Sequence, residues 1–125
     1  MLIHSDQIKS TGRWGEDQAE KYLRKKGYRT VERNYSCRFG EIDLIVSDRE
    51  YLVFVEVKTR KSNEFAEARE FVGPGKQRRV RAAASMWLVA HETQLQPRFD
   101  VIEIYGTEDM PYRKLQIRQI ENAFE

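Results

Sequence analysis

Three residues of this chain have the types and spacing to do chemistry together: Asp43, Glu56 and Lys58. Glu56 and Lys58 follow the apolar run Leu52-Val53-Phe54-Val55. On a strand alternate side chains share a face, so Leu52, Phe54, Glu56 and Lys58 form one row and Val57 turns to the other. An acid and a base therefore finish an otherwise apolar row, and burying them is costly unless they have partners or a ligand. Asp43 interrupts the preceding stretch, Ile42 to Val46, in a similar way. Carboxylates converging from neighbouring strands can hold one hard divalent ion through oxygen. A lysine beside them can stabilise charge developing on a bound anion.

Strand register decides whether Asp43 joins the other two. The pattern predicts a strand from Glu41 to Val46, a turn at Ser47-Asp48-Arg49-Glu50 and an antiparallel mate from Tyr51 to Lys58. Pairing Val46 with Tyr51 sets Asp43 opposite Phe54 and Glu41 opposite Glu56. Asp43 then shares the face of Glu56 and Lys58, within a diagonal reach of roughly 7–8 Å. A slip of one residue would turn it to the other face. Glu41 reads as an ion-pair partner, or as a group behind the ligands, rather than as a metal ligand itself.

The elements around this hairpin follow from periodicity and punctuation. Ser10 or Thr11 can cap a helix running to about Lys26 and ended by Gly27. Its apolar face is Ala19, Tyr22 and Leu23, with Glu16 near the edge. Tyr28 to Tyr35 reads as a strand, with a turn at Phe39-Gly40. Lys61 to Gly75 reads as a polar loop in which Gly73-Pro74-Gly75 stops regular structure. A second helix follows to about Glu92, with Val80, Ala83, Ala84, Trp87, Leu88 and His91 as its stripe. Pro97 ends the next loop, Phe99 to Tyr105 is a strand, and Leu115 to Ile120 is the last. The order is α, three strands, α, two strands, an α/β chain.

With 125 residues this is one domain, long enough for a real core. Charged residues make up 34% of it, yet the net charge is only +2, so bulk charge neither demands nor excludes nucleic acid. Basic residues nevertheless cluster, at Lys21 to Lys26, at Lys58 to Lys61 and at Lys76 to Arg81. The lone Cys37 permits no internal disulfide and no cysteine-rich zinc site. The N-terminus lacks an apolar signal core and no stretch is long enough to span a membrane, which points to a reducing cytosol. No P-loop, G-x-S-x-G, H-E-x-x-H or Cys–His pair at ligand spacing is present.

Each residue taken alone also has a plainer reading. Asp43 could cap a turn or pair with a lysine, Glu56 and Lys58 could form an ion pair, and Glu16 could be a solvated helix residue. Lys76 either lies along the core or binds phosphate at a helix N-terminus. His91 reads as a core or rim histidine, Trp14 and Trp87 as packing residues, and Asp100 as a residue without a chemical role.

Five blocks together carry a resemblance. Gly15-Glu16-Asp17 with Ala19, Arg33-Asn34-Tyr35, Gly40 to Ile45, Phe54 to Arg60 and Arg98-Phe99-Asp100 resemble, in order, the YraN-like family. That is a bacterial family of predicted endonucleases, distantly similar to archaeal Holliday-junction resolvases. The resemblance covers about Gly12 to Tyr105. It implies a restriction-endonuclease-like core of the PD-(D/E)xK type, a mixed central sheet flanked by helices in αβββαββ order. On that resemblance Asp43 and Glu56 match the metal-binding acids, Lys58 the motif lysine and Glu16 the first-helix glutamate. Ile42 replaces the nominal proline, which binds nothing.

The implied activity is Mg²⁺- or Mn²⁺-dependent hydrolysis of DNA phosphodiesters, with branched DNA as a candidate substrate. Asp43 and Glu56 would hold the ion, joined by the Val57 carbonyl. Arg60, Lys61, Lys76 and Arg79 would grip the DNA backbone by structure rather than sequence. Resolvase-like enzymes imply a homodimer by analogy. The alternative is a nucleic-acid-binding or interaction module that keeps the fold and does not cut.

Overall fold

A computed structural model describes the backbone of residues 2–61 and 73–124, with side chains from Gly12 onward in those stretches. The elements are α1 (Leu2–Lys25), β1 (Arg29–Cys37), β2 (Gly40–Ser47), β3 (Tyr51–Arg60), α2 (Pro74–Ala90), β4 (Gln96–Tyr105), a 3₁₀ turn (Tyr112–Lys114) and β5 (Gln116–Ile120). The strands stand side by side in chain order. All neighbours are antiparallel except β3 and β4, which run parallel and are connected through α2. The sheet is therefore mixed and the order αβββαββ, consistent with a restriction-endonuclease-like fold.

Each helix covers one face. Ala19 and Leu23 of α1 pack on Leu44, Val46, Val53, Val55, Ile102 and Ile104. Under α2, Val80, Ala83, Ala84 and Trp87 pack on Ile42, Ile45, Leu52, Phe54 and Val101. β3 is buried on both faces from Leu52 to Glu56, which explains its nearly continuous apolar run. Trp87 meets Phe54 edge-on at 6.1 Å and donates its indole N–H to Glu32 at 2.9 Å, so it is a packing residue. His91, beyond the end of α2, stacks on the Trp87 ring at the rim.

Several expected boundaries shift. Ser10 and Thr11 do not cap α1, whose backbone runs through them, and through His4, from Leu2. Its C-terminus does end as expected. Gly27 takes a left-handed φ of 99°, and Tyr28 donates back to the Leu23 carbonyl. Gly73-Pro74-Gly75 does not halt structure but starts it, since Pro74 occupies the first turn of α2, where a missing N–H costs nothing. Residues 62–72 of the expected loop lie outside the described residues. Pro97 belongs to β4, opposite Leu52, and the 3₁₀ turn before β5 was not anticipated.

The hairpin register also differs. Val46 pairs with Val53 rather than Tyr51, and Phe54 pairs with Ile45 rather than Asp43. The turn is the cause. Asp48 accepts the N–H groups of Glu50 and Tyr51 on Oδ1 and donates its own N–H to the Tyr51 carbonyl, tightening the loop to Arg49-Glu50. The slip is two residues, so from Leu44 to Ser47 each side chain keeps the face that the expected register gives it.

α1 approaches β3 closely where Gly15 passes over Thr59. A Cβ at Gly15 would lie 2.6 Å from Thr59 Cγ2, and threonine has no flexible length to move it away. Gly15→Ala is therefore expected to lift the start of α1 and cost about 1–3 kcal/mol in a urea melt. A neutral or stabilising result would mean that the helix is not seated there.

Candidate active site

Asp43 sits where the regular ladder stops. Leu44 packs under α1, whereas Ile42, two residues away, packs under α2. In a regular strand these positions share a face. The same reversal occurs on β1, where Arg33 reaches the acids of α1 and Tyr35 packs toward α2. Between these two lies Asn34, with a left-handed φ of 53°. The paired residues Arg33–Leu44 and Tyr35–Ile42 thus bracket Asn34 and Asp43 at a twist in both strands. Such irregularities re-aim a side chain.

The β2–β3 pairing ends at Leu44–Val55. Beyond it the two carboxylates replace the ladder. Asp43 Oδ2 accepts the Val57 N–H at 2.8 Å, and Glu56 Oε2 accepts the Asp43 N–H at 3.4 Å. From α2, the Lys76 ammonium reaches Glu56 Oε1 at 3.3 Å. Glu56 is almost wholly buried. Burial first, then the Asp43 charge, push its carboxyl up to about 7, against the pull of Lys76. Burial also raises the Asp43 carboxyl, opposed by the Val57 N–H, Lys76 and Lys58.

Glu16 approaches from α1. Burial and the Asp43 charge raise its carboxyl, while the Asn34 amide and Arg33 pull it down. Its Oε1 has no hydrogen-bond donor among the described residues, with the Arg33 guanidinium 3.7 Å away. A cavity of about 330 Å³ opens here, lined by Gly12, Arg13, Glu16, Asn34 and Glu41. Three acids that disfavour ionisation, one with an orphaned oxygen, are the donor set a divalent cation would relieve. Among the described residues no three carboxylate, imidazole or thiolate groups close round a single point. The fit is therefore to an ion with an open shell, of the kind Mg²⁺ keeps by retaining waters.

The remaining candidates spread outward. Lys58 is half-buried on β3, near enough to Asp43 to favour its charged form. Val57 lends its N–H to Asp43. Arg79 is exposed and lies against Gly40 at the β1–β2 turn. Arg60 and Lys61, at the end of β3, line a separate cavity of about 400 Å³ with Trp14, Thr59 and Gly106 to Asp109. Lys76 is distinct from these three, because its partner is Glu56 itself.

These features coincide with a family relationship. The model of uncharacterised protein family UPF0102 matches residues 15–104, the span that contains every acid of the site. The chain belongs to the UPF0102 family. It is 45% identical over 127 residues to a UPF0102 protein of Geobacter metallireducens, covering 100% of this chain and 98% of that one. With a UPF0102 protein of Caldanaerobacter subterraneus subsp. tengcongensis the identity is 42% over 118 residues, covering 93% and 95%. With one of Symbiobacterium thermophilum it is 44% over 114 residues, covering 90% and 94%.

Three residues of this UPF0102 chain matter more than its sequence suggested. Asn34 forms the twist and holds Glu16. Arg33 binds Asp17 at 2.8 Å and Glu20 at 3.3 Å. Asp100 is wholly buried and gathers the Arg98 guanidinium, the Gln119 amide and the Asn122 N–H, locking β4 to the C-terminal segment. The Arg98-Phe99-Asp100 spacing, which puts the two charges on one face of a strand, was the available signal.

Proposed function

We propose that this UPF0102 protein is a metal-dependent nuclease acting on DNA phosphodiesters, with branched DNA among its substrates. The observation that carries the reading is the forked end of β2 and β3. There Asp43 and Glu56 replace ladder bonds and both resist ionisation in a buried site. Asp43 and Glu56 would hold Mg²⁺ or Mn²⁺, with the Val57 carbonyl beside them and Glu16 reaching the ion through water. When bound, the ion supplies an acidified water and polarises the phosphate.

The chain's own residues do the rest. Lys58 steadies charge developing on the phosphate or orients the attacking water. Lys76, paired with Glu56, pulls that carboxyl toward its ionised, metal-accepting form against the burial that opposes it. Arg60, Lys61 and Arg79 bind backbone phosphates without reading bases, so affinity falls with salt. The expected setting is the cytosol, and no helix among the described residues is long and apolar enough to cross a membrane. A homodimer, by analogy with resolvases, would present two such sites to a branch point.

A second reading, a binding module that does not cut, draws on the absence of a closed ligand set among the described residues. A cleavage panel separates the two. Linear, single-stranded, flapped and four-way DNAs are incubated with Mg²⁺ or Mn²⁺. The nuclease reading expects cleavage of at least one of them, abolished by chelator. Retention of all of them uncut under both metals favours the binding module.

A further inference from the structure

The cavity of about 400 Å³ at the end of β3 contributes only two cations to the mechanism above. Its first β3 residue, Thr59, directly follows Lys58, so it opens at the strand end that also carries the proposed site. Three elements build it. α1 supplies Trp14, and the close seat of Gly15 on Thr59 brings that part of the helix down to the strand end. The end of β3 supplies Thr59 and Arg60, with Lys61 just past it. The turn after β4 supplies Gly106 to Asp109, and the Gly106 N–H ties it to the Arg60 carbonyl at 2.9 Å. Gly106 has a φ of 143°, and a Cβ there would lie 2.5 Å from Leu115 Cδ2, so this turn needs glycine.

The lining is chemically mixed. Trp14 is partly buried and packs against the core under α1, so its ring is held while part of it borders the cavity. Its indole N–H has no acceptor among the described residues, whereas Trp87 gives its own to Glu32. On the turn, the Thr107 hydroxyl donates to Asp109 Oδ1 and, with the Asp109 N–H, holds that carboxyl below the usual carboxylate range. The cavity thus offers a ring, two cations and two acids. A bare anion or an acidic peptide would meet Glu108 and Asp109 as like charges. A nucleotide suits every group: its base has a face for the ring and N–H donors for a carboxylate, and its phosphate takes the cations. The volume is that of a small-ligand pocket, roughly 300–1,000 Å³.

We infer that this cavity seats one unpaired DNA nucleotide flanking the cleaved phosphodiester, its base stacked on Trp14 and its phosphate on Arg60 and Lys61. This rests on the nuclease reading and narrows it to DNA with an unpaired nucleotide at a flap or branch. A base within a duplex has both faces covered and its edge paired, so it enters such a cavity only after unstacking. Every base has a face, so stacking on Trp14 selects structure without reading sequence.

The test measures binding to the full chain in chelator, so that no cleavage intervenes. The probes are a flapped DNA with 2-aminopurine as the unpaired base at the branch, the fully paired duplex of the same sequence, and the free 2-aminopurine nucleotide. Wild type is expected to bind the flapped DNA about tenfold to a hundredfold more tightly than the duplex, with the probe's emission quenched on Trp14. Trp14→Ala should lose both the preference and the quench while keeping its affinity for duplex, and Trp14→Phe, which retains a ring, should keep most of both. Equal affinity for flap and duplex, or unchanged emission on binding, would overturn the inference. So would a Trp14→Ala variant that keeps the preference, or a free nucleotide that binds as tightly as the flapped DNA, since the cavity would then be a mononucleotide site. If Trp14→Ala does not fold, the emission of the probe on wild type decides. The two readings fail separately. A protein that quenches the flap probe yet cuts nothing loses the nuclease reading and keeps the nucleotide site, whereas one that cuts DNA with emission unchanged loses the nucleotide site alone.

Discussion

Lys58→Ala is expected to lower the rate of DNA cleavage on the order of a hundredfold or more, the loss typical of one preorganised electrostatic donor. Affinity for DNA should change little, since Lys58 is half-buried beside the acids while Lys61 and Arg79 are exposed. Single-turnover rates and binding isotherms on the same DNA separate the two effects. Raising the metal concentration should not rescue the variant, because the metal ligands are intact. Cleavage as fast as wild type would reduce Lys58 to a strand-end charge and remove it from the mechanism.

Glu56→Gln should do the opposite to stability and to function. Without metal, the Glu56 carboxyl titrates near 7 in the folded protein against an ordinary 4.5. The folded state then binds more protons than the unfolded state between those values, so stability falls as pH rises through that window. The penalty at and above the upper end is on the order of 3 kcal/mol for a shift of this size. Glu56→Gln removes it, so urea melts above neutrality should show the variant more stable than wild type. Its stability should also vary less from pH 4.5 to about 7. Cleavage should be impaired in the same variant, a trade of stability for a charged site. Stability in wild type that rises across the window, or a destabilised variant, would contradict the electrostatics described here.

The pairing of an acid with Lys58 on one row was legible because strand alternation is a strict period, and β3 obeys it. The exact partners were not. Alternation fixes which residues share a face, whereas the turn fixes which residues meet, and the Asp48 side chain tightened that turn by its own hydrogen bonds. The twist at Asn34 and Asp43 was hidden for a related reason. Asparagine tolerates a left-handed φ in many contexts, and only the packing of Tyr35 and Ile42 toward α2 shows that it is used here. The Lys76–Glu56 pair is not legible because periodicity places Lys76 at the start of α2 without saying which strand end that start meets.

Calorimetric titration with Mn²⁺ tests the central claim most directly, because it needs no knowledge of the DNA substrate. Wild type, Asp43→Asn and a surface control such as Arg49→Gln are titrated at the same pH, just below neutrality. The site described here predicts weak binding to wild type and to the control, accompanied by proton release as Glu56 ionises. It predicts that this heat is lost in Asp43→Asn. Titrations that are identical for wild type and Asp43→Asn would show that Asp43 is not a metal ligand, and the proposed nuclease centre would fall with it.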